Sequence, residues 1–193
     1  MDMQGTRQLA VTQQQAWDAL NDPEVLKKCL PGCDKFEPGA EANQYVVAMA
    51  VKVGPVSAKF TGKVTLSDIQ PPSSYKLAFD GQGGVAGFGK GSSSVSLLPN
   101  AEGCELSYTV QAQVGGKVAQ LGQRLVDGAA KSMADDFFKR FDEEMQARYP
   151  ASDATSAVAA NAKALEQAPS ANAQTLNWWT RLLRWLGFGK ASS

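Results

Sequence analysis

Residues 104–149 read CELSYTVQAQVGGKVAQLGQRLVDGAAKSMADDFFKRFDEEMQARY, and this stretch decides the fold. Up to Val114 the chain alternates. Cys104, Leu106, Tyr108, Val110, Ala112 and Val114 fall on one side of an extended chain, and Glu105, Ser107, Thr109, Gln111 and Gln113 on the other. A period of two over that length belongs to a strand with one apolar and one wet face. After Gly115-Gly116 the period changes. Val118, Leu121, Leu125, Val126, Ala129, Met133, Phe137, Phe141 and Met145 recur at helical spacing, which predicts one helix of roughly 30 residues to Tyr149, stopped by Pro150.

The alternation continues towards the N-terminus. In Gln44–Val53 the residues Tyr45, Val47, Met49, Val51 and Val53 share a face, opposite Gln44 and Lys52. In Ser57–Ser67 the residues Ala58, Phe60, Gly62, Val64 and Leu66 oppose lysines and threonines. Tyr75, Leu77 and Phe79 make a third run and Val95 and Leu97 a fourth, with Gly54-Pro55 and Pro71-Pro72 as breaks. Residues 3–11 can form a further strand. Thr12 then caps a short helix over Gln13–Asn21, and Asp22-Pro23 starts another that ends near Cys29 in the turn Leu30-Pro31-Gly32-Cys33. One long helix must cover the apolar face of one curved antiparallel sheet. This is an α+β, helix-grip arrangement, and such a sheet can enclose a cavity against its helix.

Of 193 residues, 44% are hydrophobic and 20% charged, which suits a folded domain with its own core. Lys+Arg and Asp+Glu are both 19, so no globally basic nucleic-acid binder is expected. There is no histidine, which removes the usual general base, the Ser/His and Cys/His nucleophile pairs and the commonest metal ligand. Three cysteines cannot all pair, and a reducing compartment is expected. The opening MDMQGTRQLA has no apolar h-region, so no secretory signal is expected. No run is apolar enough over about 18 residues to span a bilayer.

Several motifs bear on chemistry. Gly81–Gly91 holds six glycines in 11 residues and loosely fits dinucleotide and P-loop fingerprints. Both need a helix next, and Ser92–Leu97 reads as a strand, so the segment is expected to be a bend, a bulge, room for a ligand or a mobile flap. Cys29 and Cys33, with distant Cys104, are too few for a structural zinc site, and no metal or catalytic set is expected. Asp135, Asp136, Asp142, Glu143 and Glu144 read as a solvated helix face that could dock a partner. The candidate ligand contacts are apolar. They are Tyr45, Phe60, Tyr75, Phe79, Phe88 and Tyr108 from the sheet, with Leu121, Leu125 and Met133 from the helix.

The chain divides into a helix-grip domain over residues 1–150, a linker over 151–174 and a tail over 175–193. Ten of the 24 linker residues are alanine, and a flexible chain of that length reaches roughly 25–30 Å. In the tail, Trp178, Trp179, Leu182, Leu183, Trp185 and Leu186 fall within an arc of about 160° at 100° per residue, with Arg181 and Arg184 opposite. Trp and Leu on one face and Arg on the other describe a short amphipathic helix that lies on anionic lipid, so the tail is expected to anchor the chain to a membrane surface.

The string Ala16-Trp17-Asp18-Ala19-Leu20-Asn21-Asp22-Pro23-Glu24-Val25-Leu26, then Leu30-Pro31-Gly32-Cys33 and Val53-Gly54-Pro55, resembles the G-subunit family of carbon monoxide dehydrogenase. So do Phe60–Val64, Gly83–Phe88, Gly115–Gly122 and Phe137-Phe138, and the resemblance covers about residues 3–145. It implies a START-like helix-grip domain that holds an apolar molecule between sheet and helix. It also implies a non-catalytic accessory role beside a carbon monoxide dehydrogenase-type molybdenum hydroxylase, connecting that enzyme to the membrane and its quinones. A quinone or another apolar small molecule is the expected ligand, with no covalent or metal cofactor. The expected location is cytoplasmic, on the inner face of the cell membrane. A recruitment adaptor with a closed core is the first rival and a helix-grip enzyme the second.

Overall fold

The computed structural model describes residues 1–150; the expected linker 151–174 and amphipathic tail 175–193 lie outside the described residues. In chain order the elements are β1 (Asp2–Leu9), α1 (Gln13–Leu20), α2 (Pro23–Cys29), β2 (Cys33–Pro38), β3 (Gln44–Val53), β4 (Val56–Gln70), β5 (Ser74–Gln82), β6 (Phe88–Asn100), β7 (Gly103–Gly115), α3 (Lys117–Gln120) and α4 (Gln123–Arg148). The strands form one antiparallel sheet in the order β1-β7-β6-β5-β4-β3-β2. This is the α+β helix-grip arrangement, with α4 against the apolar face of the sheet.

Local chemistry sets the starts of the helices. Thr12 and Gln15 form a capping box. The Thr12 side chain accepts from the Gln15 N–H at 3.3 Å, and the Gln15 side chain accepts from the Thr12 N–H at 2.9 Å. Asp22 accepts from the Glu24 N–H at 2.9 Å, with Pro23 at the first helical position.

Three features depart from the sequence expectations. The single helix after Gly116 is two: Gly122, at φ +91°, separates the short α3 from the 26 residues of α4. Glycine alone holds that conformation without strain, and the apolar spacing runs through the break without registering it. Strand β2 was not expected. Its sequence Cys-Asp-Lys-Phe-Glu-Pro offers one large apolar side chain, as an edge strand ending in proline can. Finally, Gly81–Gly91 is mostly paired strand. β5 runs through Gln82, a single 3-10 turn spans Gly84–Ala86, and β6 begins at Phe88, with Gly81 opposite Gly89 and Phe79 opposite Gly91.

The apolar interior has two clusters. One joins α1, α2, β6, β7 and the C-terminal half of α4 through Trp17, Leu20, Val25, Leu97, Leu106, Phe141 and Met145. The other lies at the opposite end, through Val53, Ala86, Val118 and Val126.

Candidate functional site

Both clusters contribute walls to one cavity of about 550 Å³. Leu20, Tyr75, Leu106 and Phe138 come from the first, and Val53, Val118 and Val126 from the second. The sheet supplies the side chains that its pleat turns inward: Val47, Met49 and Val51 from β3, Val64 and Leu66 from β4, Leu77 from β5, Val95 from β6 and Val110 from β7. The volume falls in the range of about 300–1,000 Å³ that receives a drug-sized ligand. A second depression, of about 810 Å³, lies among Gln4, Thr6, Ser94, Ser96, Ser107 and Thr109, with Ile69 and Val95, and is more polar than the first.

Of the candidate ligand contacts, Tyr45, Phe60, Tyr75, Phe79, Phe88, Tyr108 and Met133 line the cavity. Leu121 and Leu125 do not. Leu121 packs beside the second cluster, and Leu125 is 49% exposed, with its Cδ1 next to the β3–β4 turn at Gly54. The break at Gly122 sets Leu121 apart from α4, whereas Leu125 lies on α4 itself, about 80° around the helix from Met133 and off the stripe of Val126, Ala129, Met133 and Phe137 that faces the cavity. Residues not singled out from the sequence also line the cavity, among them Leu26, Pro31, Phe36, Val64, Leu77 and Phe137. Val64 and Leu77 carry the same alternation as the chosen aromatics. Leu26 and Pro31 enter from the α2 region, and no periodicity marks them.

The glycines explain how a sheet rich in rings keeps a hollow. Tyr108 lies opposite Gly5, Phe79 opposite Gly91 and Phe88 opposite Gly115. A β-carbon at Gly83 would lie 2.6 Å from Phe60 Cζ, and one at Gly91 would lie 2.9 Å from Phe79 Cζ. Each ring occupies the place of a missing side chain instead of filling the centre, a cross-strand pairing that also covers the glycine backbone.

Polar groups are few. Tyr75 is 6% exposed, meets Trp17 edge-on at a centroid distance of 5.7 Å, and has no hydrogen-bond partner for its hydroxyl among the described residues. Burial pushes that hydroxyl well above the usual phenol range, so it remains a neutral donor. Lys63 and Asp80 border the cavity as cross-strand neighbours but are exposed. The Cys29 and Cys104 thiols are each pushed up to about 11, chiefly by burial, and stay protonated. No group of three or more metal-ligating side chains occurs among the described residues. On the acidic face of α4, Asp135 pairs with Arg7, and Glu144 accepts from Lys28 at 3.2 Å and Arg148 at 2.9 Å. Among the described residues no helix is long and apolar enough to cross a membrane.

Residues 5–146 match the family model of the carbon monoxide dehydrogenase G subunit (CoxG). The chain belongs to the CoxG family. Its CoxG fold is similar to the crystal structure of a conserved protein from Geobacillus kaustophilus, with 36% identity over 75% of this chain and 95% of that one, at a TM-score of 0.71. Proteins from Thermus thermophilus (15% identity, 77% of this chain and 99% of that one, TM-score 0.59) and Chromobacterium violaceum (16%, 74% and 95%, 0.52) share the fold. No curated protein matches this CoxG chain.

Proposed function

We infer that this chain is a non-catalytic carrier within the CoxG family. It takes one apolar molecule bearing a hydrogen-bond acceptor, most plainly a quinone, into the cavity between sheet and α4. It thereby links a carbon monoxide dehydrogenase-type enzyme to the membrane. The observation that carries this reading is the cavity, whose wall is almost wholly hydrocarbon. At about 0.8 kcal/mol per buried CH₂, a single isoprenoid unit contributes several kcal/mol of binding there. The Tyr75 hydroxyl suits a carbonyl oxygen, because a buried donor without a partner costs roughly 1–3 kcal/mol that a ligand acceptor would offset.

The non-catalytic part of the reading rests on the wall chemistry. Tyr75 stays protonated, and Lys63 and Asp80 are exposed. In the same reading the tail anchors the chain, with Trp178, Trp179, Leu182, Leu183, Trp185 and Leu186 on lipid and Arg181 and Arg184 at anionic headgroups. Titrating the purified chain with a short-chain ubiquinone, followed by tryptophan fluorescence, tests the carrier reading. Saturable one-to-one binding supports it. Absence of binding to any quinone or lipid leaves an adaptor.

A further inference from the structure

The two ends of the sheet differ in charge. At one end lie the β3–β4 turn, the 3-10 turn before β6, the β7–α3 link and the start of α4. They are held together by contacts of Val53, Ala86, Val118 and Val126 and by the approach of Leu125 to Gly54. The segments 50–58, 81–90 and 113–126 that build this end contain Lys52, Lys90, Lys117 and Arg124, and the adjoining carboxylates are Asp80, across from Lys90 on the sheet, and Asp127, so cations are in excess by two. All four cations are exposed, and none forms an ion pair among the described residues. The loops at the other end carry Glu41 and Glu102, and Asp68 near the end of β4 pairs with Lys76.

The cationic end also holds three of the exposed large apolar side chains. Val85, within the 3-10 turn, is 85% exposed, Leu125 in the first turn of α4 is 49% exposed and Phe88 is 36% exposed. Phe88 lines the cavity as well, so the wall there is one ring thick between the interior and solvent. Lys90 stands over that ring at 6.0 Å.

We propose that this end of the domain docks on an anionic bilayer, with Val85 and Leu125 entering among the acyl chains, Lys52, Lys90, Lys117 and Arg124 meeting lipid phosphates, and Phe88 as the cavity wall that faces the lipid. The inference deepens the carrier reading and rests on it, because it gives an apolar ligand a dry route between bilayer and cavity. A membrane fits better than an acidic protein. The apolar side chains project from separate elements, Phe88 with Lys90 over its ring and Leu125 next to Arg124 in the chain, and a fluid interface accepts such points without shape complementarity. The tail and this end have separate tasks: the tail holds the chain near the membrane and the loop end orients the cavity on it.

The test uses the full chain with Cys33→Ser, and a fluorophore on Val85→Cys or, as the far-end control, on Ala101→Cys. Vesicles of phosphatidylcholine with phosphatidylglycerol carry nitroxide-labelled lipid. The label at 85 should be quenched and the label at 101 should not, both in the parent and in a chain whose tail carries Trp179→Glu and Leu183→Glu. Lys52→Gln, Lys117→Gln and Arg124→Gln together should weaken vesicle partition of the tail-altered chain about 100-fold, taking roughly a factor of five for each cation at the surface. Thermal unfolding should not change, since all three are exposed. A chain that binds vesicles through its tail while the label at 85 stays unquenched overturns the inference and leaves the tail reading standing. Quenching at 85 that persists after the tail is altered supports it. Rim variants that keep vesicle partition but lose association with the partner enzyme also overturn it, in favour of a protein surface.

Discussion

Tyr108 on β7 occupies the space of the missing side chain of Gly5, its cross-strand partner on β1: a β-carbon at Gly5 would stand 2.7 Å from the tyrosine oxygen and 2.8 Å from two ring carbons. On its inner side Tyr108 meets Phe138 of α4 at a centroid distance of 5.4 Å. The ring is thus set between a bare backbone and the helix, and the cavity keeps the volume that an upright ring would fill.

Gly5→Ala should push Tyr108 toward the interior. The expected outcome is a loss of about 1–3 kcal/mol in stability from overpacking, together with weaker binding of apolar ligand. Urea unfolding and quinone titration of the same preparation check both. Unchanged binding would mean that Tyr108 does not bound the ligand space.

Tyr75→Phe separates the hydrocarbon wall from its one buried donor. Removing a buried hydroxyl that has no partner among the described residues should leave the ligand-free protein as stable or slightly more stable. Affinity for a quinone should fall by about 1 kcal/mol, the net value of a hydrogen bond, while affinity for a hydrocarbon chain of equal length stays the same. Isothermal titration with the two ligands decides it.

The sheet was legible because its strands are wet on one side. Val64 and Val110 alternate with polar neighbours and Met49 and Leu77 with smaller or polar ones, and the pleat carries that alternation directly into the cavity wall. The Thr12/Gln15 capping box and Asp22-Pro23 were legible for a similar reason, since each acts within one helical turn. Strand β2 was not, because an edge strand needs little apolar surface and Phe36 alone does not make a pattern. Leu121 precedes the turn that Gly122 introduces, which periodicity does not record, and Leu125 lies at the edge of the apolar stripe of α4, where spacing does not separate an inward side chain from one at the rim. The glycines of residues 81–91 read as a bend, a bulge, room for a ligand or a mobile flap, and not as seats for rings. Their partners Phe60 and Phe79 lie on other strands, and pairing across a sheet is a tertiary fact.

Arg148 joins α4 to α2 by donating to Asp22 at 3.1 Å and to Glu144 at 2.9 Å. Hydrogen bonds from Arg148 and then Lys28 hold the Glu144 carboxyl below its usual range. At Asp22 burial acts the other way, but the Glu24 N–H and Arg148 outweigh it and that carboxyl also lies low. Folded values below unfolded ones mean that this stabilisation is complete above about pH 4 and is lost as pH falls through the folded values. Since the three side chains are partly exposed, the total should stay under about 1 kcal/mol. Thermal midpoints between neutral and strongly acid pH should fall more steeply for the parent than for Arg148→Gln. Equal slopes would contradict the assignment.

Removing residues 175–193 should leave the domain folded, with an unchanged unfolding midpoint, and should weaken its flotation with anionic vesicles to the partition that the loop end alone supports. The Trp179→Glu, Leu183→Glu chain should behave alike, and Arg181→Gln with Arg184→Gln should weaken binding mainly to anionic lipid, by roughly 1 kcal/mol per cation. Flotation of the truncated chain equal to that of the parent would assign the aromatic tail to a protein partner.

The central claim is that the space between the sheet and α4 holds an apolar molecule. The most direct measurement is mass spectrometry of an organic-solvent extract of the protein purified without detergent, quantified against protein and followed by titration of the extracted protein with a quinone. The account predicts one apolar, carbonyl-bearing molecule, carried at a substantial fraction of one per chain and rebound after extraction, with the occupancy lowered in Gly5→Ala. An extract with no such molecule, and no rebinding across a panel of quinones and lipids, would contradict it.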